Sequence, residues 1–352
     1  MIRIGIIGFG YWGPNLTRNF SNLEDCQIVA MADLRQARLQ SVSRQYPAIR
    51  TTESAMEVLT AKDIDAVVIA TPISTHFQLA HRALLNGKHV LVEKPMTQTT
   101  AEAEELIRVA KKQGLTLMVD HTFVYSGAVR KIRELIDAGE LGDIYYYDSV
   151  RVNLGLFQPD VNVLWDLAPH DFSIMTHLIQ KEPSAVSAIG CSPVSWDGWK
   201  QESVAYVSVE FDGSTIAHFH VNWLSPVKIR RTLIGGSRKM LIYDHLDPDN
   251  QIKIFDKGIE VGSHDERYKA LVQYRTGDLL APKIDQTEAL EVMCKHFLTS
   301  VNTSSAPLTD GWAGLRVVQL LELAKKAMSE GKGLVSCRST NHTGSTSESL
   351  AM

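Results

Sequence analysis

Residues 2–13, IRIGIIGFGYWG, decide the fold of this chain. The β-branched stretch Ile2–Ile7 is typical of a buried strand. A GxGxxG pattern, residues 8–13, follows it at once, and Asp33 comes twenty residues after the last glycine, at the end of a second apolar run, residues 28–32. Strand, glycine-rich turn, helix, strand and acid in this order are typical of a dinucleotide-binding unit.

Each part of this unit has a mechanical reason. The three glycines, Gly8, Gly10 and Gly13, let the backbone turn tightly, let a pyrophosphate come close and let the helix pack on the strand. The helix N-terminus offers free N–H groups and the positive end of its dipole to the phosphates. Pro14 at the helix start gives up an N–H that would lack a helical partner.

Asp33 indicates which dinucleotide to expect. It can accept hydrogen bonds from both ribose hydroxyls of NAD and would repel the 2′-phosphate of NADP. Arg35 lies close enough in sequence to soften that repulsion, so NAD is predicted and NADP stays open. We expect further cofactor contacts from residues of the glycine turn and the strand ends. These are Tyr11, Trp12, Leu34, Thr71, Pro72, His76, Glu93 and Lys94.

Composition argues against several other classes of protein. The chain has 352 residues, 44% hydrophobic and 22% charged, which is typical of a globular protein of two domains. Its net charge of −4 argues against a nucleic-acid partner. No stretch approaches ~18 consecutive apolar residues and the chain begins with a core strand, so we expect no membrane span, no signal peptide and a cytoplasmic location. The four cysteines are scattered without CxxC or Cys/His spacing, so no metal is predicted.

Strands and helices alternate after Asp33. The apolar run at residues 66–71 is typical of a strand covered on both faces, and His89–Glu93 and residues 115–119 are further predicted strands. Helices are predicted over residues 34–46, 54–60, 75–86 and 101–113. Repeated βαβ units of this kind predict an α/β fold. Residues 1–122 would form an NAD(P)-binding Rossmann domain with a doubly wound parallel sheet.

The pattern changes after residue 122. Val204–Phe211 and residues 215–223 alternate inward and outward side chains and are joined by Asp212-Gly213, a strong hairpin signal. Several such runs predict a mostly antiparallel sheet with one helix-covered face. We therefore expect an α+β domain over residues 123–332 that binds substrate and forms oligomers. Residues 333–352 are rich in Ser and Thr and poor in apolar residues, which predicts a disordered tail.

Two tripeptides follow predicted strands of the first sheet, Ala70-Thr71-Pro72 and Glu93-Lys94-Pro95. In an open α/β sheet, ligands lie outside the carboxyl ends of the strands, so both tripeptides should face the cofactor crevice. A surface salt bridge is the alternative for Lys94. A lysine at this edge lies close to where nicotinamide would bind, which favours a functional role.

Asp166 and His170 lie four residues apart on a predicted helix and share one face. A carboxylate beside an imidazole holds its tautomer and raises its basicity, which suits a proton acceptor near neutral pH. A helical ion pair or a core histidine explains the same spacing equally well.

Four motifs together resemble the Gfo/Idh/MocA family, named after glucose–fructose oxidoreductase and inositol dehydrogenase. They are residues 8–13, Ala70-Thr71-Pro72, GKHVLVEKP at 87–95 and DLAPH at 166–170. The resemblance covers nearly all of residues 1–330. It implies a C-terminal domain with a large open sheet, which often serves as the oligomer interface, and hence a homodimer or homotetramer. It also implies a catalytic set that falls here on Lys94, Asp166 and His170.

The stretches GYWGPNL, HTFVY, VNLGLFQPDVNVLWDLAPHD and WLSPVKIR are similar to members found with bacterial sugar-nucleotide and amino-sugar pathways. Those members are described as 3-dehydrogenases of UDP-N-acetylglucosamine-type sugars. The expected reaction is oxidation of a secondary hydroxyl at ring C3 to a ketone, with hydride passing to NAD⁺. We expect His170 to take the hydroxyl proton, Asp166 to orient the imidazole and Lys94 to stabilise negative charge.

Substrate contacts are expected from His121, Tyr125, Asn153, Trp223 and Arg230. Asn153 and Tyr125 would bond sugar hydroxyls, and Trp223 would stack against the sugar ring.

Three basic residues, Lys228, Arg230 and Arg231, form a cluster that would hold a diphosphate, or else lie on a solvated strand face. A dehydrogenase of a free sugar or a cyclitol such as inositol, which has no use for a diphosphate site, is one alternative function. A non-enzymatic NAD(P)-binding regulator is another. The presence of the lysine, aspartate and histidine of the implied catalytic set favours an enzyme.

Overall fold

Two sheets, one of six strands and one of nine, organise the chain, and a two-stranded ribbon accompanies them. The structure, a computed structural model, describes residues 1–155, 157, 160–194, 200–213, 215–260, 273–275, 277–331 and 334–337. Within those residues, no helix is both long enough and apolar enough to span a bilayer.

The six-stranded sheet is parallel throughout, with the order β3-β2-β1-β4-β5-β6. Its strands are β1 (Ile2–Ile7), β2 (Cys26–Ala32), β3 (Arg50–Thr52), β4 (Ala66–Ile69), β5 (His89–Glu93) and β6 (Leu117–Asp120). The helices between them are α1 (Gly13–Ser21), α2 (Gln36–Gln45), α3 (Ala55–Thr60), α4 (Ile73–Leu85) and α5 (Thr100–Gln113). The predicted doubly wound parallel sheet is confirmed. Sequence reasoning missed β3, because its three residues, Arg-Thr-Thr, include no apolar run.

The order of the first sheet reverses between β1 and β4. Chain segments that leave the carboxyl ends of these two strands turn to opposite sides, which opens a crevice for a ligand. Ile4 and Ile6 of β1 are fully buried between the helix layers, so the central strand is held firmly below this crevice.

The nine-stranded sheet has the order β16-β13-β12-β11-β7-β10-β9-β8-β17. Its strands are β7 (Ile144–Leu154), β8 (Pro183–Cys191), β9 (Val204–Phe211), β10 (Ile216–Asn222), β11 (Leu224–Gly236), β12 (Met240–Asp244), β13 (Ile252–Phe255), β16 (Leu279–Leu280) and β17 (Val335–Ser336). The separate ribbon is β14 (Gly258–Glu260) with β15 (Gln273–Arg275). In the described pairs of the large sheet, β7 and β10 are parallel and the others antiparallel. This confirms a mostly antiparallel second sheet.

One face of the second sheet is covered and the other is open. The helices on the covered face are α6 (Gly127–Asp137), α7 (Val163–Leu178) and α9 (Gly311–Glu330). A 3-10 turn at Thr122–Tyr125 precedes α6. Inward residues such as Val207 and Phe219 pack against α7 and α9. Outward residues such as Ile189, Tyr206 and Ile216 are exposed.

Helix α8 (Ala289–Thr303) belongs by its contacts to the first sheet. Its buried residues Met293 and Phe297 share a hydrophobic cluster with Ile4 of β1 and Phe20 of α1. The division of domains at residue 122 stays a prediction, but this C-terminal helix packs on the N-terminal core.

Part of the predicted tail is a strand. Val335–Ser336 pairs with Ala185 and Val186 of β8 as strand β17. Residue 333 and residues 338–352, which also belong to the predicted disordered tail, lie outside the described residues.

Candidate active site

In the glycine turn between β1 and α1, two of the three glycines are packed too closely against backbone to carry a side chain, and the third is not. Gly8 has a φ of +99°, and a Cβ there would lie 2.4 Å from the carbonyl oxygen of Ala70. A Cβ on Gly13 would lie 2.3 Å from the carbonyl oxygen of Gly8, whereas one on Gly10 would approach Arg38 Nη1 at 3.6 Å. The turn therefore excludes side chains at Gly8 and Gly13 and leaves bare backbone at Gly10. These residues fit a pyrophosphate bound at the N-terminus of α1.

Three of the predicted cofactor residues lie at the rim of this turn. Tyr11 is 79% exposed and meets the ring of Trp12 edge-on, with ring centroids 5.8 Å apart. Trp12 is partly buried and immediately precedes α1. Leu34, after β2, is 87% exposed. These apolar surfaces remain available to a ligand in the crevice.

Asp33 is buried at the end of β2, and both of its carboxylate oxygens are held. Oδ2 accepts from the backbone N–H of Phe9 at 2.8 Å and from Arg38 Nη1 at 3.3 Å, and Oδ1 accepts from the backbone N–H of Arg35 at 2.8 Å. The cation beside the carboxylate is thus the side chain of Arg38. Sequence reasoning considered Arg35 and missed Arg38, although a position five residues after the acid returns to it on the first turn of α2.

His76 joins two strand ends. Its Nδ1 lies 2.8 Å from the carbonyl oxygen of Pro95 and its Nε2 lies 2.8 Å from that of Thr71. Burial lowers the pKa of His76, and a neutral ring donates to only one of these carbonyls at a time. The predicted cofactor contact of His76 is therefore wrong as a direct contact, because both nitrogens face backbone. Pro72, the N-cap residue of α4, and Thr71, whose hydroxyl bonds Thr75, are positioned by this link.

Glu93 and Asp120 form a buried acid pair beneath Lys94. They lie opposite one another in the pairing of β5 with β6, and both are buried. Burial, followed by the charge of Asp120, raises the pKa of Glu93 well above its ordinary value. Burial likewise raises the pKa of Asp120. Two such carboxyls share a proton more readily than they both ionise. Because Glu93 is buried, the surface salt bridge considered for Lys94 is wrong.

Lys94 reaches across to α7. Its Nζ donates to the carbonyl oxygen of Asp166 at 2.7 Å and lies 3.4 Å from Asp166 Oδ1. The other carboxylate oxygen, Oδ2, accepts from Trp223 Nε1 at 3.1 Å. Trp223 is fully buried, so the expected stacking of this residue on a sugar ring is wrong. The indole instead fixes the carboxylate that holds the lysine.

His170 lies one turn after Asp166 on α7 but does not bond to it. Among the described residues, His170 Nδ1 has no hydrogen-bond partner. The expected orientation of the imidazole by Asp166 is therefore wrong in this structure, since both carboxylate oxygens are engaged elsewhere. Burial, then the charges of Lys94 and Arg151, lowers the pKa of His170 well below its ordinary value. The ring is neutral at physiological pH and can accept a proton.

Phe123 is a platform beside the imidazole. Its ring meets His170 edge-on with centroids 4.8 Å apart and meets His245 in the same way at 5.0 Å. The guanidinium carbons of Arg151 and Arg230 lie 4.8 Å and 5.8 Å from the same ring centroid. Phe123, Arg151 and His245 were all missed from the sequence, because their convergence depends on three separate elements.

The predicted basic cluster on β11 is split between two faces. Arg231 Nη2 lies 2.8 Å from Asp244 Oδ2, in the cross-strand pair of β11 with β12. Arg230 points to the other face, against Phe123, and its charge lowers the pKa of Lys228, so these two cations lie near one another. The expectation that three cations act together is wrong.

The remaining predicted substrate residues differ in position. Tyr125 is 2% exposed, and its hydroxyl contacts Thr309 Oγ1 at 3.2 Å and His296 Nδ1 at 3.1 Å, so its expected sugar contact is wrong. His121 is also buried, next to Asp120, and lines a cavity of about 1090 Å³ that is bordered by α9 and the end of α7. Asn153 is partly exposed near the end of β7.

The bond from the indole to Asp166 leads to a first prediction. Trp223→Phe keeps an aromatic ring but removes the N–H donor, so we expect kcat to fall about tenfold, the cost of one hydrogen bond to a carboxylate. The KM for NAD should not change, because the glycine turn is untouched. Steady-state rates of NADH formation measure both quantities. Trp312→Phe, at an exposed position of α9, is the matched control. An unchanged kcat would contradict the positioning role of Trp223.

Comparison with known families gives two matches. Residues 2–121 match the model described as oxidoreductase family, NAD-binding Rossmann fold, and residues 129–242 match the GFO/IDH/MocA C-terminal domain. The first match covers the glycine turn, Asp33 and Lys94, and the second covers Asp166, His170 and Arg230.

Relatives of known sequence and relatives of known structure agree with these family matches. A UDP-N-acetylglucosamine 3-dehydrogenase of Acidithiobacillus ferrooxidans is 27% identical over 90% of this chain and 94% of its own length. Its crystal structure superposes with a TM-score of 0.77 at 26% identity, covering 94% of this chain and 98% of that one. A scyllo-inositol 2-dehydrogenase (NAD(+)) of Bacillus subtilis is 27% identical over 68% of this chain and 73% of its own. The chain belongs to the Gfo/Idh/MocA family of oxidoreductases with an NAD-binding Rossmann domain.

Proposed function

We propose that the protein oxidises a secondary hydroxyl on the pyranose ring of a nucleotide sugar to a ketone, with NAD as the acceptor. One observation carries the proposal. The ammonium of Lys94, after the end of β5, bonds to Asp166 of α7, one helical turn before His170, and its charge acts on the imidazole of His170.

The chain's own residues divide the work. His170 is neutral, so it accepts the proton of the substrate hydroxyl at a ring nitrogen. Lys94 donates a hydrogen bond to the same oxygen and stabilises the negative charge that develops there. Asp166 holds the Lys94 ammonium in place and is itself fixed by Trp223. NAD, when bound, supplies the hydride acceptor at nicotinamide C4.

Similarity supports a sugar as the substrate. The relative named UDP-N-acetylglucosamine 3-dehydrogenase matches almost the whole of this chain, which favours a UDP-N-acetylglucosamine-type sugar and ring C3. The relative named scyllo-inositol 2-dehydrogenase has the same identity over a shorter part of the chain. A cyclitol dehydrogenase is therefore the second candidate. The expected homodimer or homotetramer through the open face of the second sheet, and the cytoplasmic location, stay predictions.

A substrate panel tests the proposal. The purified chain is incubated with NAD or NADP and, separately, with UDP-N-acetylglucosamine, N-acetylglucosamine and scyllo-inositol, and NADH or NADPH formation is followed. We expect turnover of the nucleotide sugar with NAD. Turnover of scyllo-inositol alone would replace the proposal by the second candidate, and turnover of none of them would contradict both.

The environment of Asp33 leads to a second prediction. Asp33→Ser removes the negative charge that repels a 2′-phosphate and leaves Arg38 beside the adenosine ribose, so we expect the preference for NAD over NADP to fall. A change of about tenfold in the ratio of kcat/KM values corresponds to ~1.4 kcal/mol. Asp25→Ser, at the amino end of the same strand and exposed, is the control. An unchanged ratio in Asp33→Ser would show that the carboxylate does not select the cofactor.

A further inference from the structure

Arg230 is a cation without a counter-charge beside the catalytic groups. It is partly buried on the helix-covered face of β11. Across the described part of the chain, no carboxylate lies within ion-pair distance of its guanidinium, and its Nε is buried without a hydrogen-bond partner. Its neighbour Lys228 adds a second positive charge.

The guanidinium lies next to the ring that contacts His170. It lies 5.8 Å from the centroid of Phe123, whose ring edge-on contacts His170. Burial lowers the pKa of Arg230, and the charge of Arg151 adds to this effect. The charge of Asp171, followed by Tyr243 and Tyr11, acts on Arg230 in the opposite direction, but both oxygens of Asp171 already accept hydrogen bonds from Arg151.

The neighbouring arginine, Arg151, is paired with a carboxylate. Arg151 donates from Nε and Nη2 to the two oxygens of Asp171, at 2.8 Å and 2.9 Å. Buried cations are paired as a rule, because an unpaired one loses its hydration without compensation. Arg230 is only partly buried and has no such partner, and an anion carried by a ligand could supply the one that Arg151 has in Asp171.

His245 adds a neutral group to the same place. Its ring contacts Phe123, and its Nδ1 lies 3.1 Å from the hydroxyl of Tyr243. Burial, then the charge of Arg230, lowers the pKa of His245 to about 4, so it contributes no charge at neutral pH. The positive charge of this corner therefore comes from Arg230 and Lys228.

We propose that Arg230 binds an oxyanion, a carboxylate or a phosphate, carried on the same sugar ring whose hydroxyl faces Lys94 and His170. This inference rests on the proposed function and narrows its substrate to an acidic sugar, either a uronate or a sugar phosphate ester. A guanidinium suits either anion, because it offers two parallel N–H donors to two oxygens.

Four sugars separate the two sources of the anion. N-acetylglucosamine has neither group, UDP-N-acetylglucosamine has the phosphate, N-acetylglucosaminuronate has the carboxylate and UDP-N-acetylglucosaminuronate has both. KM is measured for each with the native chain, Arg230→Gln and Arg230→Lys. We expect Arg230→Gln to raise KM by about 10- to 100-fold for the sugars that carry the bound anion, and to leave the others unchanged. Arg230→Lys should restore part of the loss.

Two controls show whether a rise in KM depends on the anion of the sugar. Arg231→Gln removes the same charge from the opposite face of the same strand and should leave all four KM values unchanged. NAD binding and the melting temperature of each variant report whether it folds. A rise in KM that is the same for all four sugars, or no rise at all, overturns the inference.

If no sugar is turned over, measurement of the binding affinities of the sugars tests the inference instead. The four sugars are then titrated calorimetrically into the native chain and Arg230→Gln, both loaded with NADH. Loss of affinity for the anionic sugars in the variant supports the oxyanion site even though the proposed reaction has failed. Equal affinities of the two proteins for the anionic sugars, or no binding to the native chain, overturn it.

Discussion

His170→Asn is expected to lower kcat by about 10²- to 10⁴-fold, the contribution of a positioned general base. Asparagine keeps the size and polarity of the side chain but cannot take up the proton of the substrate hydroxyl. The KM for NAD should stay unchanged, since the glycine turn and Asp33 lie on other elements. His177→Asn, two turns later on the same helix, is the matched control and should retain the native kcat.

The pH dependence of kcat/KM of the native chain also tests the assignment of His170 as the general base. Burial and three neighbouring cations, Lys94, Arg151 and Arg230, lower the pKa of His170, so its base form is present at neutral pH and is lost only as pH falls through a value well below the ordinary ~6.5. We expect kcat/KM to be flat through neutrality and to fall on acidification below that value. An acidic limb at or above 6.5, or one that persists unchanged in His170→Asn, would contradict the assignment.

The N-terminal half of the site was predictable because its signals are local. The Ile2–Ile7 strand, the spacing of the glycines and the acid at Asp33 each depend on neighbours within a few tens of residues. Lys94 was located by the same logic, since a strand end is a place that sequence can identify. The sheet order then brings these positions to one edge.

The partners of Asp166 were not predictable in this way. A spacing of four residues on a helix brings Asp166 and His170 to the same face, but it does not decide which neighbour a carboxylate bonds. Lys94 and Trp223, from β5 and from the corner between β10 and β11, take both of its oxygens. The stacking role expected of Trp223 failed for the same reason: its burial is set by packing between distant segments.

The ion pair of Arg151 with Asp171 was missed, although the sequence contains a pattern that indicates it. Tyr147, Ser149 and Arg151 occupy successive inward positions of β7, and an arginine at the inward period of a strand requires a buried acid. Asp171, in the middle of the apolar surface of α7, is that acid.

Asp171→Asn is expected to cause the largest loss of stability. The side chains of Arg151 and Asp171 are each only 4% exposed, and they form two hydrogen bonds. Burial by itself would lower the pKa of Arg151, but the charge of Asp171 raises it overall. Without the carboxylate, the guanidinium remains charged, buried and unpaired. Removing one member of such a pair costs about 3–5 kcal/mol. Thermal unfolding, monitored by circular dichroism, should show a clearly lower melting temperature.

A double variant separates the charge from the packing. Arg151→Met with Asp171→Leu removes both charges and replaces them by apolar side chains, and such replacements are often neutral or stabilising. We therefore expect the double variant to melt well above Asp171→Asn. It should nevertheless have impaired kcat, because Arg151 also lies over the face of Phe123, the platform of His170. If Asp171→Asn melted within a degree or so of the native chain, the pair would have to be open to water, and its role in holding the platform would be contradicted.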